Sequence, residues 1–160
     1  MLMLENVFRA CIQSLIDYAS ALWDSASPST LKPLASIHKR AFKLALLKFT
    51  AMTAHEYNVL DVLPLTLKED FNKGIIMHKI VTGDAPSTLK FNFHSNQNRH
   101  SHKLIVHRPR LYLFKCSLMF SGGNLWNSLP LRIKILTDHK AFRKEFKQYL
   151  MEKTKNHNKN

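Results

Sequence analysis

The sequence predicts a mainly α-helical protein, and three observations support that prediction. Apolar residues recur at spacings of three and four along several segments, which is the periodicity of a helix with one buried face. Residues that start and stop helices, such as Thr-x-x-Glu pairs, prolines and a glycine, lie between those segments. Hydrophobic residues make up 45% of the 160 residues and are spread along the whole chain. We expect an amino-terminal bundle of four to five helices, then a small mixed α/β segment, and finally a terminal amphipathic helix.

The first 45 residues predict two antiparallel helices. The first runs from Met3 to Trp23, and a loop that contains Pro28 separates it from a second helix capped by Ser29 or Thr30. Helices joined by a short connection are antiparallel neighbours. The residues expected to face the core are Val7, Cys11, Leu15, Tyr18, Ala19 and Leu22 in the first helix, and Leu31, Leu34, Ile37, Ala41, Leu44 and Ala45 in the second.

Two capping boxes predict the next two helices. Thr53 and Glu56 open a short helix from Ala54 to Leu60, and Thr66 and Glu69 open a longer one that Gly83 ends. The longer helix is expected to bury Phe71, Ile75, Ile76 and Ile80. A last short turn from Ala85 to Phe91 then completes a helical bundle over residues 1–91.

The character of the chain changes after Phe91. Residues 92–102 are polar and predict a linker, and residues 103–151 predict a small basic α/β segment. Its strands are expected at 103–107 and 111–114, with a continuation at 117–120 that Gly122-Gly123 ends. Residues 124–129 are interpreted as one turn, which Pro130 stops.

The final helix is predicted from Asp138 to Met151, with a disordered tail at 152–160. Its inward stripe is Phe142, Phe146, Tyr149 and Leu150. The predicted structural anchors of the whole chain are Trp23, Trp126, Phe142 and Phe146, with Trp126 packing near the two phenylalanines and its indole N–H bonded to an acceptor.

Charge is strongly asymmetric along the chain. The net charge is +13, but residues 1–90 carry only +2 and residues 91–160 carry +11, together with six of the nine histidines. Such an asymmetry favours a polyanion partner for the carboxy-terminal half. The alternative is a basic face that is simply solvated.

Cations alternate with aromatic residues in the basic half, as in proteins that hold single strands by phosphate contacts and base stacking. We therefore expect RNA or single-stranded DNA as the partner. Under the alternative interpretation, Tyr112 and Phe114 pack in a small sheet while the cations face water. The predicted contact residues are Arg99, Lys103, Arg108, Arg110, Tyr112 and Lys115, with Arg143, Lys144 and Lys147 on the final helix.

The sequence predicts no enzyme, metal site or cofactor. A polymerase or nuclease groups carboxylates to hold two metals, whereas the only adjacent acidic pair, Glu69-Asp70, lies in a capping box. No phosphate-binding glycine loop is present, and the spacing of His94, His100, His102 and His107 matches no standard zinc pattern. No small-molecule substrate is therefore expected.

The compartment predicted is intracellular, either the nucleus or the cytoplasm. The two cysteines, Cys11 and Cys116, make no disulfide framework, and Cys11 is expected to be buried in the first helix. The amino terminus lacks a basic start and a cleavage site, and no uninterrupted apolar stretch is long enough to cross a membrane.

Several stretches of the amino-terminal half resemble a known family. Residues 12–23, IQSLIDYASALW, look like I-x-P-x-L-x-Y-x-x-x-V-W, the segment that follows the polymerase domain in LINE-type (non-LTR) retrotransposon reverse transcriptases of animals. Asp17 stands where the family often has histidine or leucine. Further similar residues are Leu31, Leu34, Ile37, Lys39-Arg40-Ala41, Leu63-Pro64-Leu65, His78-Lys79-Ile80 and Gly83-Asp84-Ala85-Pro86.

The carboxy-terminal half resembles the same family. Residues 108–117, RPRLYLFKCS, are similar to its P-x-x-x-T-x-x-x-K-x-S, although Leu111 replaces the usual threonine. Residues 123–130, GNLWNSLP, are similar to its G-x-x-x-W-N-x-L-P, and a terminal amphipathic helix follows in both. The resemblance covers about residues 8–151.

The resemblance implies a thumb-like bundle behind a polymerase palm, with the palm and any endonuclease upstream of Met1. The chain would then be a catalytically incompetent fragment whose remaining role is at most non-sequence-specific binding of RNA or single-stranded DNA. The alternative is a helical protein-interaction module that once docked on the palm and binds no nucleic acid.

Overall fold

The computed structural model describes residues 2–18, 26, 28–47, 62–86, 88–89 and 102–157. The chain is mainly helical, which confirms the predicted fold class. It forms two compact units, Met1–Glu69 and Asp70–Asn160. The helices are α1 (Leu2–Val7), α2 (Ser14–Asp17), α3 (Pro28–Ala45), α4 (Leu65–Thr82), α5 (Tyr112–Cys116), α6 (Leu118–Ser128), α7 (Leu131–Lys134) and α8 (His139–His157), and a π-helical segment, Phe8–Gln13, joins α1 to α2.

The core of the first unit is built around Phe8 of the π-helical segment. Its ring centroid lies 5.2 Å from that of Phe42 in α3, a tilted aromatic contact that favours close packing. Ala45 and Val62 complete the buried cluster. Pro28 is the first residue of α3, a position where its missing N–H leaves no hydrogen bond unmade.

The inward faces of the first two helices differ from the predicted ones. Phe8 and Ile16 are buried, whereas Val7, Leu15, Tyr18 and the predicted core residue Cys11 are exposed. Both faces carry apolar residues four apart, and the face with the phenylalanine packs because it buries the larger ring against Phe42. In α3 the structure likewise exposes Ile37 and Leu44 and buries His38 and Phe42.

In the second unit, α8 carries the predicted stripe. Phe142, Phe146 and Leu150 are buried as predicted, whereas Tyr149, the fourth residue of the predicted stripe, is half-buried. The helix begins after Asp138, whose carboxylate accepts hydrogen bonds from the backbone N–H groups of Lys140 at 3.4 Å and Ala141 at 2.9 Å. The helix continues to His157, beyond its predicted end at Met151 and into the segment predicted as a disordered tail.

Two glycines let helices of the second unit approach closely. A Cβ atom on Gly74 of α4 would lie 2.1 Å from Cε1 of Phe146, and one on Gly122 of α6 would lie 2.8 Å from Sδ of Met77. Gly83 follows α4 with φ at 86°, the left-handed conformation predicted for the residue that ends this helix.

The predicted strands at 111–114 and 117–120 are wrong, because Tyr112–Cys116 and Leu118–Ser128 are helices. Gly122 and Gly123 lie buried inside α6 and end no strand. Residues 103–109 are non-helical, and residues 102–157 contain no strand. The predicted helix at 54–60, the predicted linker at 92–102 except for His102, and the anchor Trp23 lie outside the described residues.

None of the helices in the described ranges combines the length and apolar character that a membrane span needs.

Candidate nucleic-acid interface

The segment that enters the basic half is fixed by side chains of α6. The backbone N–H of Leu104 donates to Oδ1 of Asn127 at 2.8 Å, and Nδ2 of Asn127 donates to the Leu104 carbonyl at 3.0 Å. The amide therefore satisfies both backbone groups of one residue, as a neighbouring strand would. The Leu104 side chain is itself buried, so this point is held by packing as well as by hydrogen bonds.

Trp126, the neighbour of Asn127, provides the second attachment. It is 1% exposed, and its indole N–H donates to the His102 carbonyl at 3.3 Å. Its ring centroid lies 6.0 Å from that of Phe142 in α8. The burial, the acceptor and the contact with the last helix are those that the sequence predicts for this tryptophan.

The junction of α5 and α6 places the next groups. Ser117 lies between the two helices in an extended conformation, and its hydroxyl accepts from the Phe120 N–H at 3.4 Å as the cap of α6. Lys115 lies in the last turn of α5. Phe120 and Asn124 are four residues apart in α6, so their side chains lie on one face of that helix.

These elements line an open groove of about 470 Å³ in the second unit. We call it the α6 groove. It brings two predicted contact residues, Arg108 and Lys115, to one site, with half-buried apolar residues and one exposed amide. Its lining residues are Val106, Arg108, Pro109, Lys115, Phe120 and Asn124.

Helix α5 presents aromatic and apolar side chains to solvent. Tyr112 is 66% exposed and Phe114 is 43% exposed, and α5 contains no buried residue. A hydrogen bond with Cys116, one turn along α5, raises the pKa of Tyr112. Neither ring is packed in a sheet, so the alternative that assigned them to a small β core is not what the structure contains.

Lys103 lies outside the groove, beside Lys134. Nζ of Lys134 donates to the Asn127 carbonyl at 3.0 Å. Burial lowers the pKa of Lys134, and the charge of Lys103 lowers it further. Lys103 therefore adds positive charge next to the Asn127 attachment.

The predicted cations of α8 have different surroundings. The guanidinium of Arg143 lies 5.9 Å from the ring centroid of Phe71, a cation–π distance. Lys144 is exposed and Lys147 is half-buried. Arg110 is exposed just before α5, and Arg99 lies outside the described residues. Of the predicted contact residues that the structure describes, Arg108 and Lys115 line one groove and the others lie outside it.

Acidic residues are missing from the whole stretch around the groove. From Ala85 to Thr137 the sequence contains eight Lys or Arg and no Asp or Glu. The cations of the groove therefore have no carboxylate partner within this stretch. A stretch with this excess of cations contributes positive potential, and positive potential raises the local concentration of polyanions.

Sequence reasoning missed Phe120 and Asn124. Their signal was present, because Ser117 is a helix cap and the two residues are four apart after it. The interpretation of 117–120 as a strand hid that spacing, since residues of a strand alternate between faces.

The acidic and histidine residues of the described ranges do not group as metal ligands do. No group of three or more His, Cys, Asp or Glu that could hold a metal occurs among the described residues. Asp70 lies 3.9 Å from Lys73, one turn along α4. Of the histidines considered for zinc, His94 and His100 lie outside the described residues.

A series of polar side-chain contacts runs through the first unit. Nε2 of His38 lies 3.1 Å from Oε1 of Gln13, Nε2 of Gln13 donates to Asp17 at 3.0 Å, and Asp17 pairs with Lys68 at 3.0 Å. Burial lowers the pKa of His38, and Asp17 partly offsets this effect. These contacts connect residues 13–17 with α3 and α4, so their role is structural.

Comparisons with protein-family models, with curated proteins and with solved structures find no match to this chain.

Proposed function

We propose that this chain is a post-catalytic, carboxy-terminal region of a LINE-type retrotransposon reverse transcriptase. We also propose that it has no polymerase activity of its own and binds RNA or single-stranded DNA without sequence preference. The family origin is supported by the ordered motifs that resemble the family. The binding is supported by one observation above all, the presence of Arg108 and Lys115 in the same groove as Phe120.

The chemistry of the groove favours a nucleic-acid strand over other anions. Two cations match the repeating phosphates, and exposed aromatic rings on α5 offer faces on which bases stack. Phosphate contacts carry no sequence information, so binding should depend weakly on base order.

The test is a binding titration of the full chain against a short labelled RNA at several salt concentrations. If about five phosphates are neutralised, the logarithm of affinity falls against the logarithm of salt with a slope near −3.5, at roughly −0.7 per contact. The variant Arg108→Ala/Lys115→Ala should make that slope shallower by about 1.4, because two contacts are lost.

The matched control is Lys39→Ala/Arg40→Ala, which removes the same charge from exposed positions of α3. Its slope should stay close to that of the native chain. Equal losses in both variants would reject the groove as the site, and an absence of binding at low salt, or binding indifferent to salt, would reject nucleic-acid binding itself.

The absence of polymerase activity has its own test. Purified chain given a template, a primer, nucleotides and Mg²⁺ should incorporate nothing above background. Incorporation that disappears when an acidic residue such as Asp70 is replaced by asparagine would contradict the proposal.

A second candidate function, a helical protein-interaction module, is favoured by Leu111 and Leu113. They are 70% and 81% exposed, and neither side chain has a use in phosphate binding. The variant Leu111→Ser/Leu113→Ser separates the two functions. Self-association or protein binding that is lost in this variant, without any RNA binding by the native chain, would favour the module.

A further inference from the structure

We infer that the α6 groove holds one unstacked nucleotide of the bound strand, with the base against Phe120 and the flanking phosphates at Arg108 and Lys115. This inference rests on the proposed function, because it specifies how that strand is held.

The first argument is the mixed chemistry of the lining. A site that only attracts phosphates needs cations and N–H donors, yet three of the six lining residues, Val106, Pro109 and Phe120, are apolar. All three are half-buried, so part of each already faces the groove or solvent. An aromatic base is the part of a nucleotide that gains from covering such a surface.

The second argument is the arrangement along α6. Phe120 and Asn124 lie one helical turn apart on the same face, so a base that covers the ring has its edge near the amide. The amide of Asn124 has both donor and acceptor atoms, which suits the polar edge of any base. Asn124 is exposed, so its amide is accessible to the edge of a base.

The third argument is the size and position of the groove. Its volume of about 470 Å³ is in the range of sites that hold small organic ligands, roughly 300–1,000 Å³. Arg108 comes from the non-helical segment 103–109 and Lys115 from α5, so the two cations reach the groove from different parts of the chain. One nucleotide with a phosphate on each side matches this arrangement, whereas a continuous stack of bases needs a longer surface.

The experiment compares two probes, a labelled single-stranded DNA and a strand of equal length in which every base is replaced by an abasic site. We expect the full chain to bind the base-bearing strand about five-fold or more tightly, because stacking on one aromatic ring contributes at least that factor. The advantage should persist as salt rises, because stacking releases no counterions.

Variants of the groove assign the effect to its residues. Phe120→Leu keeps an apolar side chain but lacks the aromatic face, so it should lower the advantage of the base-bearing strand by about five-fold, the contribution of one stacked base, with no change in salt slope. Phe120→Tyr keeps the face and should retain the advantage. Thermal unfolding of each variant shows whether the fold is intact, and exposed Asn124→Ala provides a further variant that leaves packing untouched.

The outcomes separate the two levels of the proposal. Equal binding of the base-bearing and abasic strands, or native behaviour of both Phe120→Leu and Asn124→Ala, would overturn the inference and leave phosphate-based binding standing. Failure of both strands to bind at low salt would overturn the proposed function, and the inference with it. Loss of the advantage in Phe120→Leu and its retention in Phe120→Tyr would support the inference.

Discussion

Replacement of Gly74 by alanine should destabilise the second unit, although alanine is the better helix former. In an unstrained helix interior the change stabilises by about 1 kcal/mol. Here the new Cβ would lie 2.1 Å from Cε1 and 2.6 Å from Cζ of Phe146. That ring is fully buried, with Phe71 at 5.9 Å and Phe142 at 5.4 Å between centroids, so it has no empty space to enter.

The helices α4 and α8 must therefore separate, and overpacking of this kind costs about 3 kcal/mol at the upper end of its usual range. The net loss in the free energy of unfolding is then about 2 kcal/mol, or a melting temperature lower by roughly 4–8 °C for a chain of this size. Thermal unfolding followed by circular dichroism measures the shift.

Gly122→Ala is the matched control. Its Cβ would lie 2.8 Å from Sδ of Met77, which is also fully buried, but an unbranched thioether adapts more readily than a rigid ring, so this variant should lose less stability than Gly74→Ala. The variant Gly74→Ala/Phe146→Leu should recover part of the loss by removing the ring atoms that clash. A Gly74→Ala variant as stable as the native chain would refute the close approach of α4 and α8.

Three further predictions concern stability. Trp126→Ala should lower the free energy of unfolding by about 3–5 kcal/mol, because a fully buried indole leaves a large cavity, and an unchanged urea midpoint would exclude it from the core. Gly83→Ala should cost about 1–2 kcal/mol, because φ at 86° is unfavourable for a residue with a Cβ; native-like melting would contradict this. Stability should fall as the pH drops below 6.5, because burial lowers the pKa of both His38 and His139 and the unfolded chain then binds protons more readily. Melting temperatures between pH 7.5 and 5.5 test this, and the dependence should weaken in His139→Gln; a flat profile in the native chain would oppose it.

The carboxy-terminal helix was predictable because several local signals agree. Asp138 caps it, the stripe Phe142, Phe146 and Leu150 repeats every four residues, and all three residues are buried. Gly83 was predictable for a similar reason, since the end of a periodic segment followed by glycine has few other interpretations. In both cases the capping residue and the apolar spacing indicate the same helix boundary.

The inward face of the first helical segment was not predictable from spacing. Residues 7, 11 and 15 and residues 8, 12 and 16 are two apolar rows on adjacent faces, and the choice depends on the Phe8 contact with Phe42 in another helix. The π-helical winding of residues 8–13 also changes the angle between rows, which a constant period cannot describe.

Only part of the candidate groove could be predicted from the sequence. Charge asymmetry indicated Arg108 and Lys115, but the pairing of those cations with Phe120 depends on α5 and α6 being helices. Gly122 and Gly123 disfavour a helix by intrinsic propensity, but Gly122 packs closely against Met77 in α4, a tertiary contact that favours the helix. Such an effect requires knowledge of a residue more than forty positions away in the sequence.

The attachment of Leu104 to Asn127 determines where the length of the neighbouring segment can vary. A strand held by a ladder can slip by two residues and find equivalent partners, but one amide matches the N–H and carbonyl of a single residue. Leu104 is therefore pinned in register, while α5 begins independently at Tyr112. An insertion within residues 105–107 would allow Arg108 to lie further from Leu104, while Leu104 and the start of α5 at Tyr112 keep their positions. Length variation at this position is thus a route by which the spacing of charges can change while the core stays the same.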